Sequence, residues 1–108
     1  AFPLWLAPVQ VVVLPVSEKQ LDYARQVTAE LRAARVRVYL DDRNEKLNSR
    51  IRDAQLQKAP LMLVVGDREA QAGSVAVRRR ESGDAGSQPL GEFLPWVRQV
   101  IDTRAIKW

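Results

Sequence analysis

Pro8-Val9-Gln10-Val11-Val12-Val13-Leu14-Pro15 is the stretch that decides the fold. From Val9 to Leu14 the run is nearly continuous in β-branched residues, and proline bounds it on both sides. That pattern reads as a strand buried on both faces, as in a sheet covered by helices. The segment that follows supplies such a helix. Ser17-Glu18-Lys19-Gln20 is a capping-box pattern, with Ser17 as N-cap and Gln20 three residues on. Leu21, Ala24, Val27, Leu31 and Ala34 then recur at helical spacing on one side. Arg35 leads into a second strand, where Val36, Val38 and Leu40 alternate with Arg37, Tyr39 and Asp41. Strand, helix and strand with short joins make a βαβ unit, which pairs its strands in parallel and crosses over right-handedly.

Beyond this unit lies Asp41-Asp42-Arg43-Asn44-Glu45-Lys46-Leu47-Asn48-Ser49-Arg50-Ile51-Arg52, which joins a strand end to a basic helix. Leu47, Ile51, Ala54 and the stem of Lys58 fall in one stripe of that helix. Asn48 and Arg52 take one flank, and Lys46 and Arg50 the other. Leu56 falls opposite the stripe, so the helix is expected to loosen before Pro60. Leu61 to Val65 reads as another buried strand ended by Gly66, and Asp67 to Gly73 as a polar connection. Ser74 to Arg80 alternates as a strand, and Glu81 to Ser87, with two glycines, reads as a loop. A last helix starts near Pro89 or Glu92 and turns Phe93, Val97, Val100 and Ile101 inward; Pro95 fits only in its first turn. The order β-α-β-α-β-β-α predicts an α/β domain with a mixed sheet.

The chain has 108 residues, enough for one domain with a single core. A net charge of +4 and a pI near 10.0 lean towards nucleic acid. No apolar run is long enough to span a membrane, and no secretory signal pattern opens the chain. Cysteine is absent, which removes disulfides and thiolate metal sites and fits a reducing compartment. Histidine is absent too, which removes imidazole bases, His-based triads and most zinc sites. The single methionine is Met62 and the first residue is Ala1, so a piece of a longer polypeptide is expected. Phe2, Leu4, Trp5 and Leu6 crowd a proline-punctuated leading arm, residues 1–8. These groups must bury on this domain or on a preceding one.

Few constellations here carry chemistry. Asp41 and Asp42 at a strand end could hold Mg²⁺ in a small metal-dependent enzyme, but no third carboxylate accompanies them, and a capped turn explains them better. Gly66-Asp67-Arg68-Glu69 lacks phosphate-loop and dinucleotide spacing, and Glu69 reads as an acceptor at a strand end. Arg78-Arg79-Arg80 is the densest positive charge; in a strand Arg78 and Arg80 share a face, which can lie beside the basic helix, and Arg79 takes the other. Trp96 reads as packing of the last helix and Trp108 as a frayed end or a lost contact. Neither is needed as a base-stacking platform.

Several stretches together resemble the C-terminal anticodon-binding domain of class IIa aminoacyl-tRNA synthetases, and within that class the bacterial threonyl-tRNA synthetase family. They are Phe2-Pro3 with Trp5-Leu6-Ala7-Pro8-Val9-Gln10-Val11, Leu40 to Lys46 with Arg43-Asn44-Glu45-Lys46, and Ile51-Arg52. Pro60 with Met62-Leu63-Val64, Gly66-Asp67 with Glu69, Gly73 with Val75-Ala76-Val77-Arg78, and Gly86-Ser87 complete the match. The resemblance implies a mixed five-stranded sheet flanked by about three helices, with residues 1–8 as an arm from a catalytic domain and 9–108 as the anticodon-binding domain.

It also implies a partner, the anticodon loop of tRNA for threonine, whose anticodon ends in G then U. The implied site is Asn44, Lys46, Arg52, Glu69 and Arg78. Arg78 presents two donors to guanine O6 and N7, Glu69 accepts from guanine N1 or N2, and Asn44 matches a uracil edge. Arg52 holds phosphate or a base carbonyl, and Lys46 phosphate. No catalytic or metal residue is implied within this domain. ATP, Mg and Zn belong to the catalytic domain, through which a cytoplasmic homodimer forms. Ser49 stands where the family usually has an aromatic, Ala59-Pro60-Leu61-Met62 where it often has Val-Pro-Tyr-Met, and Pro95-Trp96 replace usual helix formers. The alternative is a stand-alone or accessory binding module of the same fold without aminoacylation.

Overall fold

The structure, a computed structural model, describes residues 3–80, 82–105 and 108. In chain order the elements are β1 (Val11–Pro15), α1 (Leu21–Ala33), β2 (Val38–Leu40), α2 (Leu47–Leu56), β3 (Leu61–Val65), α3 (Asp67–Ala72), β4 (Ser74–Arg79), β5 (Gly83–Pro89) and α4 (Leu90–Asp102). Short 3-10 turns occupy Leu4–Leu6 and Glu18–Gln20. The strands form one sheet in the order β2-β1-β3-β4-β5. β1 pairs in parallel with β2 and β3, while β4 is antiparallel to both β3 and β5. The sheet is therefore mixed and five-stranded, as expected.

β1 is buried along its whole length, and its side chains divide between two cores. Val11 and Val13 join Leu61, Leu63, Val65, Val75 and Val77 on one face, under Ala24, Val27 and Leu31 of α1 and Leu90, Phe93, Val97 and Val100 of α4. Val12 and Leu14 join Met62 on the other face, under Ala54 of α2 and Ala59. Leu21, Ala34 and Ile101, expected inside, are only partly buried, because they sit at helix ends where the core thins.

The Ser17 capping box forms. Ser17 N–H donates to Gln20 Oε1 at 2.9 Å, and Lys19 N–H donates to Ser17 Oγ at 3.3 Å. It caps a 3-10 turn that runs directly into α1.

The leading arm packs on this domain. Leu4 is fully buried in the larger core, while Leu6 is 48% exposed. Buried Gln10 accepts from the Arg37 N–H at 2.8 Å and donates to the Leu4 carbonyl at 3.2 Å. The Arg37 guanidinium donates to the carbonyls of Ala7 at 2.9 Å and Trp5 at 2.7 Å. Phe2 lies outside the described residues.

Three expectations are corrected. Asp67–Ala72 is a helix, not a connection: Gly66 N–H donates to Glu69 Oε1 at 2.8 Å at its start, and Gly73 closes it at φ +67°. Residues 83–89 are a strand, although Glu81 to Ser87 was expected as a loop; backbone pairing to β4 holds it while most of its side chains face water. Pro95 lies in the second turn of α4, not the first, and deprives the Gly91 carbonyl of its i+4 donor. Such a proline costs about 3 kcal/mol. Leu90, Phe93, Val97 and Val100 each return roughly 1.5–3 kcal/mol by burial, so the helix persists.

Three helices end on a basic residue in the left-handed region: Arg35 (φ 61°) after α1, Lys58 (φ 63°) after α2 and Arg104 (φ 52°) after α4. Each end is a Schellman motif. After α2, for example, Ala59 N–H donates to the Ala54 carbonyl at 3.0 Å and Lys58 N–H to the Gln55 carbonyl at 3.0 Å. A residue with a Cβ pays about 1–2 kcal/mol in this conformation. Lys58→Gly and Arg35→Gly are each expected to raise stability by about 1 kcal/mol. The check is an upward shift of the urea unfolding midpoint at unchanged slope.

Candidate nucleic-acid interface

The turn between β2 and α2 is held from two sides. Beneath it, Arg50 is only 3% exposed. Its guanidinium donates to the carbonyls of Glu45 (3.0 Å), Asp41 (3.1 Å) and Val16 (3.5 Å). Arg50 is thus structural, not one of the exposed flank cations. The flank was placed correctly by helical spacing, but it faces the sheet edge, where free carbonyls need a donor. Above the turn, Arg43 grips Asp41 through two bonds of 2.9 Å and reaches Asp53 Oδ2 on α2 at 2.9 Å. Burial pushes the Asp41 carboxyl up, but the Arg43 hydrogen bonds and the Arg43 and Arg50 charges outweigh it and hold it below the usual carboxylate range. With both Asp41 oxygens spent on Arg43, the aspartate pair is a braced turn, and Asp42 stands by itself in solvent. Among the described residues no group of three or more carboxylates, histidines or cysteines is placed to hold a metal ion.

This bracing leaves Asn44 and Lys46 exposed at the tip of the turn, without side-chain partners among the described residues. The tip stands at the carboxyl end of β2, since Asp41 N–H donates to the Val13 carbonyl at 3.0 Å. The carboxyl ends of β1 and β3 open on the same edge, where Gln20 Nε2 of the α1 cap donates to Asp67 Oδ1 of α3. Open α/β sheets bind ligands at this edge.

Among the described residues α2 packs over β1 and part of β3 on its face of the sheet. The flank carrying Asn48 and Arg52 turns towards β4, because Arg80 at the end of β4 donates through Nε to the Gln55 carbonyl of α2 at 3.0 Å. Arg78 and Arg80 thus share the face beside the basic helix, as the alternation predicted. Arg52 is exposed along this wall. The open floor holds half-buried Val64 and Ala76, which pair across β3 and β4, and Arg78, which pairs with Met62. Arg78 Nε is buried with no hydrogen-bond partner. Glu69 stands at the upper edge in the first turn of α3, with Oε1 committed to the Gly66 N–H and Oε2 without a hydrogen-bond partner among the described residues.

Arg52 and Arg78 thus line the wall and floor of this open half-sheet, while Asn44 and Lys46 stand at the carboxyl end of β2 and Glu69 at the carboxyl end of β3. Reading the residues missed β5, which forms the far side of this floor. Across from Arg78 sits Asp84, and the register shifts there: Val77 faces Gly86 while Arg78 faces Asp84. Gly86 adopts φ +87°, and its N–H donates to Asp84 Oδ1 at 2.8 Å. The Asp-Ala-Gly sequence is the available signal of such a bulge. On the opposite face Arg79 lies over the rings of Trp96 (5.7 Å) and Trp108 (5.4 Å), so Trp108 is packed, not frayed.

Among the described residues no helix is long and apolar enough to cross a membrane.

A family model described as an anticodon binding domain matches residues 10–100. The chain is 55% identical over 105 residues to a threonine–tRNA ligase of Acidobacterium capsulatum, covering 97% of this chain and 15% of that protein. It is 59% identical over 106 residues to a threonine–tRNA ligase of Syntrophomonas wolfei, covering 98% of this chain and 17% of that protein. The chain thus spans about one-sixth of the length of these relatives. Among solved structures, the RNA binding domain of threonyl-tRNA synthetase from Cryptosporidium parvum superposes with a TM-score of 0.87 at 32% identity, over 92% of this chain and 25% of that chain. Prolyl-tRNA synthetase from the same organism superposes with a TM-score of 0.85 at 26% identity, over 96% of this chain and 23% of that chain.

Because the folded-state Asp41 carboxyl is held below its ordinary value, its contribution to stability is present above about pH 4 and is lost as pH falls through the lowered folded value. Asp41→Asn is expected to cost about 1–3 kcal/mol at neutral pH. Unfolding measured from pH 7 down to pH 2 should show a shallower acid slope in the variant than in the parent.

Proposed function

The chain belongs to the anticodon-binding-domain family, and from that premise we propose that it reads the anticodon of tRNA for threonine as one module of a threonyl-tRNA synthetase. The observation that carries this reading is the buried, unpartnered Nε of Arg78 on the open face of the sheet, with exposed Arg52 on the wall beside it. Both relatives named above are threonine–tRNA ligases, which favours this function over a stand-alone module of the same fold.

The side chains divide the task by chemistry. Arg78 offers two parallel donors to guanine O6 and N7, and its buried Nε gains from a bound acceptor nearby. Asn44 offers a donor and an acceptor to uracil, and Glu69 keeps one oxygen for a base N–H. Arg52 and Lys46 hold phosphates, and Arg52 can also meet a base carbonyl. Loop bases can be splayed from their stack, so each is offered separately to such a surface.

In this reading residues 1–8 enter from a preceding catalytic domain and 9–108 form the anticodon-binding domain, although the arm seats Leu4 in the core of the latter. The catalytic domain would use ATP, Mg and Zn, form the homodimer and attach threonine in the cytoplasm. None of its residues is placed on this chain, which by itself would bind tRNA without charging it.

The test is binding of the chain to anticodon stem-loops at one fixed salt concentration, since phosphate contacts make affinity salt-dependent. Arg78→Ala is expected to cost about 1–3 kcal/mol on the threonine loop and to remove preference over a loop with its G replaced. Lys46→Ala should weaken all loops alike and reduce the salt slope by about one. Equal binding of every loop by the unaltered chain would overturn the reading.

A further inference from the structure

The leading arm carries more bonds than a flexible linker needs. Leu4 is fully buried in the larger core, and Gln10, itself only 1% exposed, donates to the Leu4 carbonyl. Arg37, just before β2, donates through its guanidinium to the carbonyls of Ala7 and Trp5. A second arginine, Arg104 after α4, lies over the half-buried Trp5 ring at 4.9 Å, within reach of a cation–π contact. Arg104 is aimed there by a left-handed backbone, φ 52°, in a turn closed by Arg104 N–H to the Ile101 carbonyl and Ala105 N–H to the Val100 carbonyl. Arg98 ties the same helix to the end of α1, donating to the Ala34 and Arg35 carbonyls at 2.8 and 3.0 Å. The arm is thus gripped at its carbonyls by Arg37 and at its ring by Arg104. Leu4–Leu6 winds into a 3-10 turn in which Leu6 N–H donates to the Pro3 carbonyl at 3.1 Å, so the direction of the chain at Pro3 is set as well. Flexible linkers are polar chains without such fixed contacts.

Resting on the function proposed above, we propose that Arg37 and Arg104 are positioning residues. They latch the arm through Trp5, so that the anticodon-reading face is carried at a fixed orientation to the catalytic domain that precedes it. Domains of one chain ordinarily move relative to one another unless their junction is well packed. When two linked sites must hold one ligand together, the stiffness of the link sets how often both engage at once. A whole tRNA is such a ligand, because one end is read while the other reacts. The latch keeps the two sites in register before tRNA arrives. It therefore serves the charging step and adds nothing to the affinity for an isolated anticodon loop. That separates its role from the one assigned to Arg78.

The experiment uses the full-length ligase that carries this chain, with Arg37→Gln, Arg104→Gly and the two combined, beside Arg78→Ala. Glycine at 104 removes the cation and relieves the left-handed backbone, so a loss cannot be traced to a weakened helix end. Glutamine at 37 keeps the backbone N–H that donates to Gln10. Threonine activation without tRNA, binding of the threonine anticodon stem-loop at fixed salt, and charging of whole tRNA are measured side by side. The combined variant is expected to keep activation, stem-loop affinity and the KM for tRNA, and to lose roughly ten- to a hundredfold in kcat for charging. Small-angle X-ray scattering should show it spread over a wider range of overall dimensions than the parent. Charging unchanged, or lost with scattering identical to the parent's, overturns the latch and leaves the anticodon reading intact as long as Arg78→Ala still weakens the stem-loop. Stem-loop binding lost in step with charging also overturns it, since the two arginines would then only support the fold. Arg78→Ala without effect on stem-loop binding or charging overturns the anticodon reading and the latch with it.

Discussion

The buried guanidinium of Arg50 is the contact on which the β2–α2 turn depends. It ties the carbonyls of Asp41 and Glu45, at the two ends of the turn, to the Val16 carbonyl at the exit of β1. An arginine has five donors in a rigid fork and no acceptor, so it can satisfy several carbonyls from one point while keeping its charge. With Arg50 below and the Arg43–Asp41 pair above, the turn has little freedom, and Asn44 is presented rather than tethered. Pre-organisation of this kind lowers the ordering cost that binding would otherwise meet.

Uneven covering of the sheet follows from the same economy of elements. Two helices, α1 and α4, fill one face, and α2 alone serves the other. The second core is consequently small, and it ends at Met62 and Val64. Past that point, among the described residues, no helix residue joins this core over β3, β4 and β5, and the residues there shift from valine and methionine to alanine, arginine and aspartate. The proposed site is the part of a two-faced sheet that the described residues leave uncovered.

The elements legible in the sequence were those whose signal is periodic burial. The β1 run, the α1 stripe, and the alternation from Val36 to Asp41 and from Ser74 to Arg80 were all readable, because apolar spacing reports the core directly. α3 was not, since six residues without an apolar period give no stripe; only Gly66, Glu69 and Gly73 mark its ends. β5 was not, because Gly83-Asp84-Ala85-Gly86-Ser87 has poor strand propensity, and its pairing is dictated by the β4 backbone. Arg50 looked like Arg52 in the sequence; only the position of the flank against three free carbonyls separates a structural cation from an exposed one. Pro95 shows the reverse case, in which a strong local breaker yields to four buried apolar side chains.

β5 also divides labour within the chain in a way that bears on how it changes over generations. Its side chains carry almost no packing, since five of its seven residues are exposed and its place is fixed through the main chain. Substitutions at such positions usually alter stability by less than about 0.5 kcal/mol. Outside the glycines and the bulge, this strand is mutationally cheap, yet it borders the floor where Arg78 stands. Stability resides in the valines of β1 and β3, and selectivity can drift along β5 without disturbing them. A scaffold divided this way can vary what its open face contacts while its fold stays unchanged.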